Sequence, residues 1–189
     1  MAWLKAHGVT AIADVRSVPF SRRFPWFSNR TLSERLQSKG IAYVTMGDTL
    51  GGRPTNPALY CDGIADYEAM AATPDFHAGI DRVMTDMMRY RLCLMCAERE
   101  PLDCHRCLLV GRAITRRGYS IGHILGGGSI EPHSATEERL LAGLRPAGDL
   151  FADRESRLAE AYRRRAHRMA ARLSDRVRPG RTPKAFMSS

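Results

Sequence analysis

The chain has 189 residues, 44% of them hydrophobic, five cysteines and a net charge of +9. That length is enough for one domain with a real core, and that hydrophobic content excludes a wholly disordered chain. No apolar run approaches the roughly 20 residues of a membrane helix, and no apolar stretch of a secretory signal follows Lys5 and His7. Five cysteines outside a small secreted framework point to reduced thiols in a cytoplasm. From Asp149 onward eleven Arg/Lys stand against five Asp/Glu, so six of the nine net positive charges lie in the tail.

The first segment, AWLKAHG, reads as the last turns of a helix stopped by Gly8. VTAIADV (9–15) is a short apolar run that fits a buried strand. The loop VPFSRRFPWFSNR (18–30) then interleaves Phe20, Phe24, Trp26 and Phe27 with Arg22, Arg23 and Arg30. Such a mixture suits phosphate and base recognition, and equally suits rings folded down as a lid core beneath solvated arginines. Thr31 to Lys39 reads as a short helix in which Thr31 and Glu34 have capping-box spacing and Leu32 and Leu36 share a face. IAYVTM (41–46) is a second strand, and MGDTLGGRPTNP a Gly/Pro loop where Gly51 and Gly52 let backbone amides approach an anion beside Arg53.

Helices are expected near 63–71 and over 75–90. The second places Phe76, Ile80, Val83, Met84, Met87 and Met88 at helical spacing, which reads as a core stripe. LCLMC (92–96) is a third strand, Cys104 to Arg117 a helix, and YSIGHIL (119–125) a fourth strand; GGGSIEPH then leads to a helix at about 134–144. Strands alternating with helices predict an α/β fold, a parallel sheet with helices on both faces, with ligands bound beyond the carboxyl ends of the strands. RSVPFSRR, CAEREP and HILGGG stand at those ends. Residues 150–178 read as an arginine-rich helix whose Leu150, Leu158, Ala161, Ala170 and Leu173 are too scattered for a strong apolar seam. The organisation expected is an α/β domain over 1–148, a basic helical extension over 149–178 and a disordered tail over 179–189.

LCLMCAEREPLDCHR (92–106) concentrates three of the five cysteines. Asp103 is placed to cap the helix that follows Pro101 and Leu102, with Cys104, His105 and Arg106 in its first turn. Free amides there lower a thiol's pKa below about 8.5, which favours Cys104 as the activated thiol. Cys96, at the strand end, is the better placed one above the sheet. Against this, Cys104, Cys107, Leu108, Gly111 and Ile114 share a helical face, and cysteine is often buried. Cys93 and Cys107 read as core, while Cys96 and Cys104 stand open between core and site. Cys93 to Arg99 has the spacing of a phosphate-cradling loop, but Cys93 lies inside the strand and Glu98 and Glu100 would repel a phosphate. Cys96, Cys104, His105 and either His123 or His133 are ligand types suited to zinc, without the spacing of a CxxC pair.

DVRSVPFSRR, the Phe-Ser before a helix, GIAY, LGGRP, a strand ending in CAE, CHR opening a helix, and HI before a glycine turn occur together in this order. In that combination the chain resembles the domain-of-unknown-function 488 family. The resemblance implies a compact Rossmann-like α/β fold and no established reaction. It carries over, as candidate site positions, Asp14, Arg16, Ser21, Arg22, Cys96, Glu98, Cys104, His105, Arg106 and His123. Members of the family usually begin with a strand and a Gly-His-Ser turn ahead of the helix that ends here in WLKAHG; on this comparison a histidine-bearing part of the site is expected to be missing. A looser similarity to rhodanese-type domains, through IADVRS, a strand ending in cysteine and RRGYSIGHILGGG, is opposed by the acidic AERE loop.

The function expected is binding of an anionic, nucleotide-like ligand over the strand ends. Cys96, Glu98, Cys104 and His105 would be its reactive or ligating groups, with Asp14, Arg16, Ser21, Arg22, Arg53, Arg106 and His123 around the ligand. Two alternatives belong to other classes: a nucleic-acid-binding accessory module using the basic tail and the Arg/aromatic loop, and a metal-binding regulatory domain, with zinc the possible ion.

Overall fold

A computed structural model describes residues 1–143 and 153–177. Helix α1 (Ala2–Ala6) closes on His7 as its C-cap residue, and Gly8, with φ of +63°, turns the chain toward strand β1 (Ala11–Asp14), buried along its whole length. Helix α2 (Asn29–Gln37) follows, with Ser28 as its N-cap residue. It starts two residues before the expected Thr31, which therefore lies within its first turn and caps nothing. Leu32 and Leu36 are buried as their spacing requires. After β2 (Ala42–Thr45) comes a short helix, α3 (Gly47–Leu50), in place of the expected loop. Met46 and Leu50 are both buried, and one helical turn between them puts both into the core.

The expected helix at 63–71 is shortened by a hairpin. Strands β3 (Tyr60–Cys61) and β4 (Ile64–Ala65) pair antiparallel around Asp62 and Gly63, both at positive φ. Helix α4 (Tyr67–Ala71) starts only after Asp66, whose carboxylate accepts the N–H groups of Glu68 and Ala69. Helix α5 (Pro74–Met87) is capped by the Thr73 hydroxyl. Its stripe of Phe76, Ile80 and Val83 is buried and Met84 and Met87 pack against the core, but Met88, at 80% exposure, lies beyond the helix end and outside it.

Strand β5 (Leu92–Met95) completes a three-stranded parallel sheet of order β2-β1-β5, with Ala11 level with Ala42 and Leu92. Alternation along the strands divides the sheet residues between two faces. Ile12, Tyr43, Cys93 and Met95 pack with residues of α1 and α2. Ala13, Val15, Val44, Leu92 and Leu94 face the larger core. Helices therefore cover both faces, as an α/β fold requires.

A 3-10 turn (Pro101–Asp103), a π-helical stretch (Arg106–Gly111) and α6 (Arg112–Arg116) follow. Strand β6 (Gly122–Ile124) does not join the parallel sheet. The glycine turn brings β7 (Ile130–Pro132) back against it, and the two pair antiparallel as a separate hairpin. Helix α7 (His133–Ala142) continues from β7.

The last described helix, α8 (Arg154–Val177), corrects the expectation of a weak seam. Ala161, Tyr162, Ala166, Met169 and Ala170 are buried in the main core, with Leu158 packed against it. These positions recur every three or four residues, so the seam is continuous, built mainly from alanines together with Tyr162, Met169 and Leu158. Its arginines turn back onto the domain. Arg165 donates to the Leu102 carbonyl and to Asp103, each at 2.8 Å, and Arg163 reaches Glu68 and Glu160. Leu150, the expected boundary at 148/149 and the expected tail at 179–189 lie outside the described residues. No described helix is long and apolar enough to cross a membrane.

Candidate metal centre

The carboxyl ends of β1 and β5 lie side by side, tied by the Val15 N–H donated to the Met95 carbonyl at 3.0 Å. Beyond β1 the buried Asp14 carboxylate accepts three groups. Arg16 donates its backbone N–H (3.1 Å) and its guanidinium Nε (2.8 Å) and Nη2 (2.5 Å), and Tyr43 donates its hydroxyl at 2.6 Å. Arg16 is buried and its pKa is raised: desolvation opposes its charge, but the hydrogen bonds and charge of Asp14 outweigh that. Asp14 and Arg16 therefore complete each other and shape the turn; neither holds out a free charge.

Beyond β5 four side chains converge. The Cys96 thiol lies 2.9 Å from Glu98 Oε2 and 3.5 Å from His105 Nδ1, and the Cys104 thiol lies 3.4 Å from the same Glu98 oxygen. One donor atom from each residue lies within 4.8 Å of all the others. His105 is buried, and its Nε2–H is donated to the Val15 carbonyl at 2.8 Å, which turns Nδ1 toward Cys96. Gly52 packs flat on this ring: a Cβ there would lie 2.7 Å from His105 Cγ. A cavity of about 90 Å³ opens over the cluster, lined by Arg16, Ser17, Gly52, Arg53, Cys96, Glu98 and His105.

The charges are strongly linked. The hydrogen bond from Cys104 lowers the Cys96 pKa against burial, with His105 adding to the effect. Cys104 is held well above the ordinary thiol value by that same bond and by its burial. Burial and the Cys96 charge raise Glu98. Burial works against a charged His105, but the Cys96 charge and hydrogen bond and the Val15 carbonyl outweigh it, and its pKa rises. Of the two thiols it is therefore Cys96 whose pKa is lowered, where the expected helix start favoured Cys104. Asp103 does not cap the helix either; the 3-10 turn points it at Arg165, and the Arg106 N–H is donated to Cys104 Sγ at 3.3 Å.

The remaining candidate residues are dispersed. Ser21 organises the aromatic loop, accepting the Phe24 N–H at 3.1 Å, and Arg22 is exposed. Phe20, Phe24, Trp26 and Phe27 stay exposed rather than folding down as a lid core. Arg53 stands beside the small cavity, its N–H donated to Ser17 Oγ at 3.0 Å. Arg106 and His123 line a different cavity, between β5 and β6. Ser17 and the Val15 carbonyl were not among the candidates, and Gly52 was expected to let amides approach an anion rather than to pack on His105. The Gly-Gly pair was the only signal for Gly52, and nothing in the sequence marks a backbone carbonyl as a histidine's partner.

A family model described as Domain of unknown function DUF488 matches residues 1–113. The chain belongs to this family. The DUF488 match takes in β1, β2, β5 and the whole Cys96/Glu98/Cys104/His105 cluster, and ends within α6, before His123, α7 and α8. No curated protein and no solved structure matches the chain.

Proposed function

We propose that Cys96, Cys104 and His105 hold a zinc-class divalent ion, and that this centre acts hydrolytically on an anionic substrate admitted through the small cavity. The observation that carries the reading is the convergence of two thiols, an imidazole and a carboxylate. Among the described residues no arginine or lysine side chain hydrogen-bonds either thiol or Glu98. Without an ion Cys104 and Glu98 keep their protons and His105 is drawn to the Cys96 thiolate; a divalent cation would take the place of those protons, since a bound metal favours deprotonated thiols. The spacing supports this: two ligands on a tetrahedral zinc with bonds of about 2.3 Å to sulfur and 2.0 Å to nitrogen are about 3.5 Å apart. Cys96 Sγ and His105 Nδ1 have that separation, 3.5 Å. The Val15 carbonyl on His105 Nε2 is the second partner a ligating histidine needs to fix its tautomer.

Three protein donors leave a fourth position toward the cavity, the arrangement of a catalytic rather than a structural zinc site. Glu98, whose Oε2 lies 2.9 Å from Cys96 Sγ, would there accept the proton of an attacking water. Arg53, exposed at the cavity rim, supplies positive charge for the substrate.

Native mass spectrometry after zinc loading should show one ion per chain. Cys96→Ser and Cys104→Ser should lose it, and Glu98→Gln should keep it. A metal-free wild type in which Cys96 is alkylated rapidly by iodoacetamide would overturn the metal centre in favour of a thiolate nucleophile. Loss of the ion from Glu98→Gln would make Glu98 a fourth ligand and close the site to water.

A further inference from the structure

Arg106 and His123 line a second cavity of about 390 Å³ between β5 and β6, walled in part by Val83, Met87, Ile114 and Ile130. Its volume is that of a small-molecule site. His105 lines the small cavity and Arg106, the next residue, lines the large one, and the two cavities have no lining residue in common. The Arg106 guanidinium, half-buried, makes no hydrogen bond or ion pair with any described residue; only its backbone N–H is engaged. A cation held against apolar walls without a counter-ion is costly, and a bound anion relieves that cost.

His123 ends a directed chain of hydrogen bonds. Its Nε2 lies 2.9 Å from His133 Nδ1, His133 Nε2 lies 2.8 Å from the Tyr162 hydroxyl, and that hydroxyl lies 3.0 Å from Glu137 Oε1. A carboxylate only accepts, so Tyr162 donates to Glu137 and accepts from His133 Nε2–H. His133 Nδ1 then accepts from His123 Nε2–H, which leaves His123 Nδ1 with a bare lone pair. Among the described residues that nitrogen has no partner, and none of their side-chain nitrogens or oxygens is both sealed and unpartnered; the cavity that His123 lines together with Arg106 is where a ligand would meet it. Burial, then His133 and Arg106, push the His123 pKa down to about 4, so at neutral pH it remains an acceptor.

Cys107, His123 and His133 also have ligand atoms within 4.8 Å of one another. A metal is the poorer occupant here: the two facing ring nitrogens already share a hydrogen, and an ion would sit beside the uncompensated Arg106. We infer that the cavity binds a small organic monoanion, with its apolar body against the walls and its anionic group on Arg106. A hydroxyl adjacent to that group is donated to His123 Nδ1.

Three probes separate these contributions by calorimetric titration of the whole chain. Mandelate has ring, anion and adjacent hydroxyl; phenylacetate lacks the hydroxyl; benzyl alcohol lacks the charge. Mandelate should bind most tightly, phenylacetate up to about tenfold more weakly, and benzyl alcohol about 10- to 100-fold more weakly. Arg106→Gln should reduce mandelate to the level of benzyl alcohol, and His123→Phe should make mandelate and phenylacetate equal. Cys96→Ser should bind mandelate as the wild type does, which keeps this site's outcome independent of the metal centre. In the unsubstituted protein the His123 ring ¹⁵N resonance should move on mandelate addition, a readout that survives if a variant fails to fold. No binding of any probe, equal binding of all three, or an unaltered affinity in Arg106→Gln would overturn the proposal.

Discussion

His123 and His133 sit at the buried end of α7 and β6, and the environment holds both rings neutral. The His123 pKa falls from 6.5 to about 4, through burial first and then through His133 and Arg106; His133 is lowered by burial. Between those two values the unfolded chain takes up a proton that the folded chain refuses. Stability from His123 is therefore fully present above about pH 6.5 and is lost as pH falls toward 4. At about 1.4 kcal/mol per pH unit the ceiling is about 3 kcal/mol. Urea unfolding at pH 7 and pH 5 should show this loss in the wild type and a smaller one in His123→Phe; equal losses would assign the acid sensitivity to another group. At this scale the residue types of the candidate metal centre were readable, but their protonation was not. A helix start around Cys104 would favour that thiol, but the helix begins later and Cys104 is sealed, whereas the pKa of the part-buried Cys96 is lowered by the Cys104 hydrogen bond and by His105.

Among the elements, α8 departs furthest from its expected role. Tyr162, 2% exposed, fills the core between α7 and the π-helical stretch and also carries the hydrogen bonds of His133 and Glu137. Tyr162→Ala should cost about 3–5 kcal/mol in urea unfolding, the range for truncating a large buried aromatic side chain. Tyr162→Phe, which keeps the ring and strips the polar partner, should cost about 1–3 kcal/mol. A loss below 1 kcal/mol for the alanine variant would show α8 to be a detachable appendage. The helix itself was legible, since arginine and alanine are strong helix formers. Its seam was not, because Ala161, Ala166 and Ala170 count for little in a hydrophobic pattern yet permit close approach. Strand β6 shows the same limit: its apolar run was visible, but the choice between the parallel sheet and a hairpin depended on the glycine turn and on β7, two residues of which look like a loop.

For the whole molecule, the +9 charge is arranged differently from the simplest expectation. Arg154, Arg163, Arg164, Arg165 and Arg172 of α8 pair with Glu138, Glu68, Glu160 and Asp103, while Arg22 and Arg23 of the aromatic loop are exposed and hold no described ion pair. Replacing Arg163, Arg164 and Arg165 together by Gln should shift elution from heparin less than replacing Arg22 and Arg23 by Gln. The reverse order would return polyanion contact to α8. The sequence by itself determined the α/β class and the strands β1, β2 and β5, and it put Cys96, Glu98, Cys104 and His105 within one short segment; the expected zinc set had His123 or His133 in place of Glu98. Those features are local: strand patterning spans a few residues, and Cys96 and His105 are only 9 residues apart. Only the tertiary structure decided that Arg16 is spent on Asp14, that the Val15 carbonyl, 90 residues from His105, sets its tautomer, and that Arg106 and His123 belong to another cavity. Each of these is settled by which surfaces bury together, and a chain's local pattern contains no term for the partner its backbone or side chain will meet after folding.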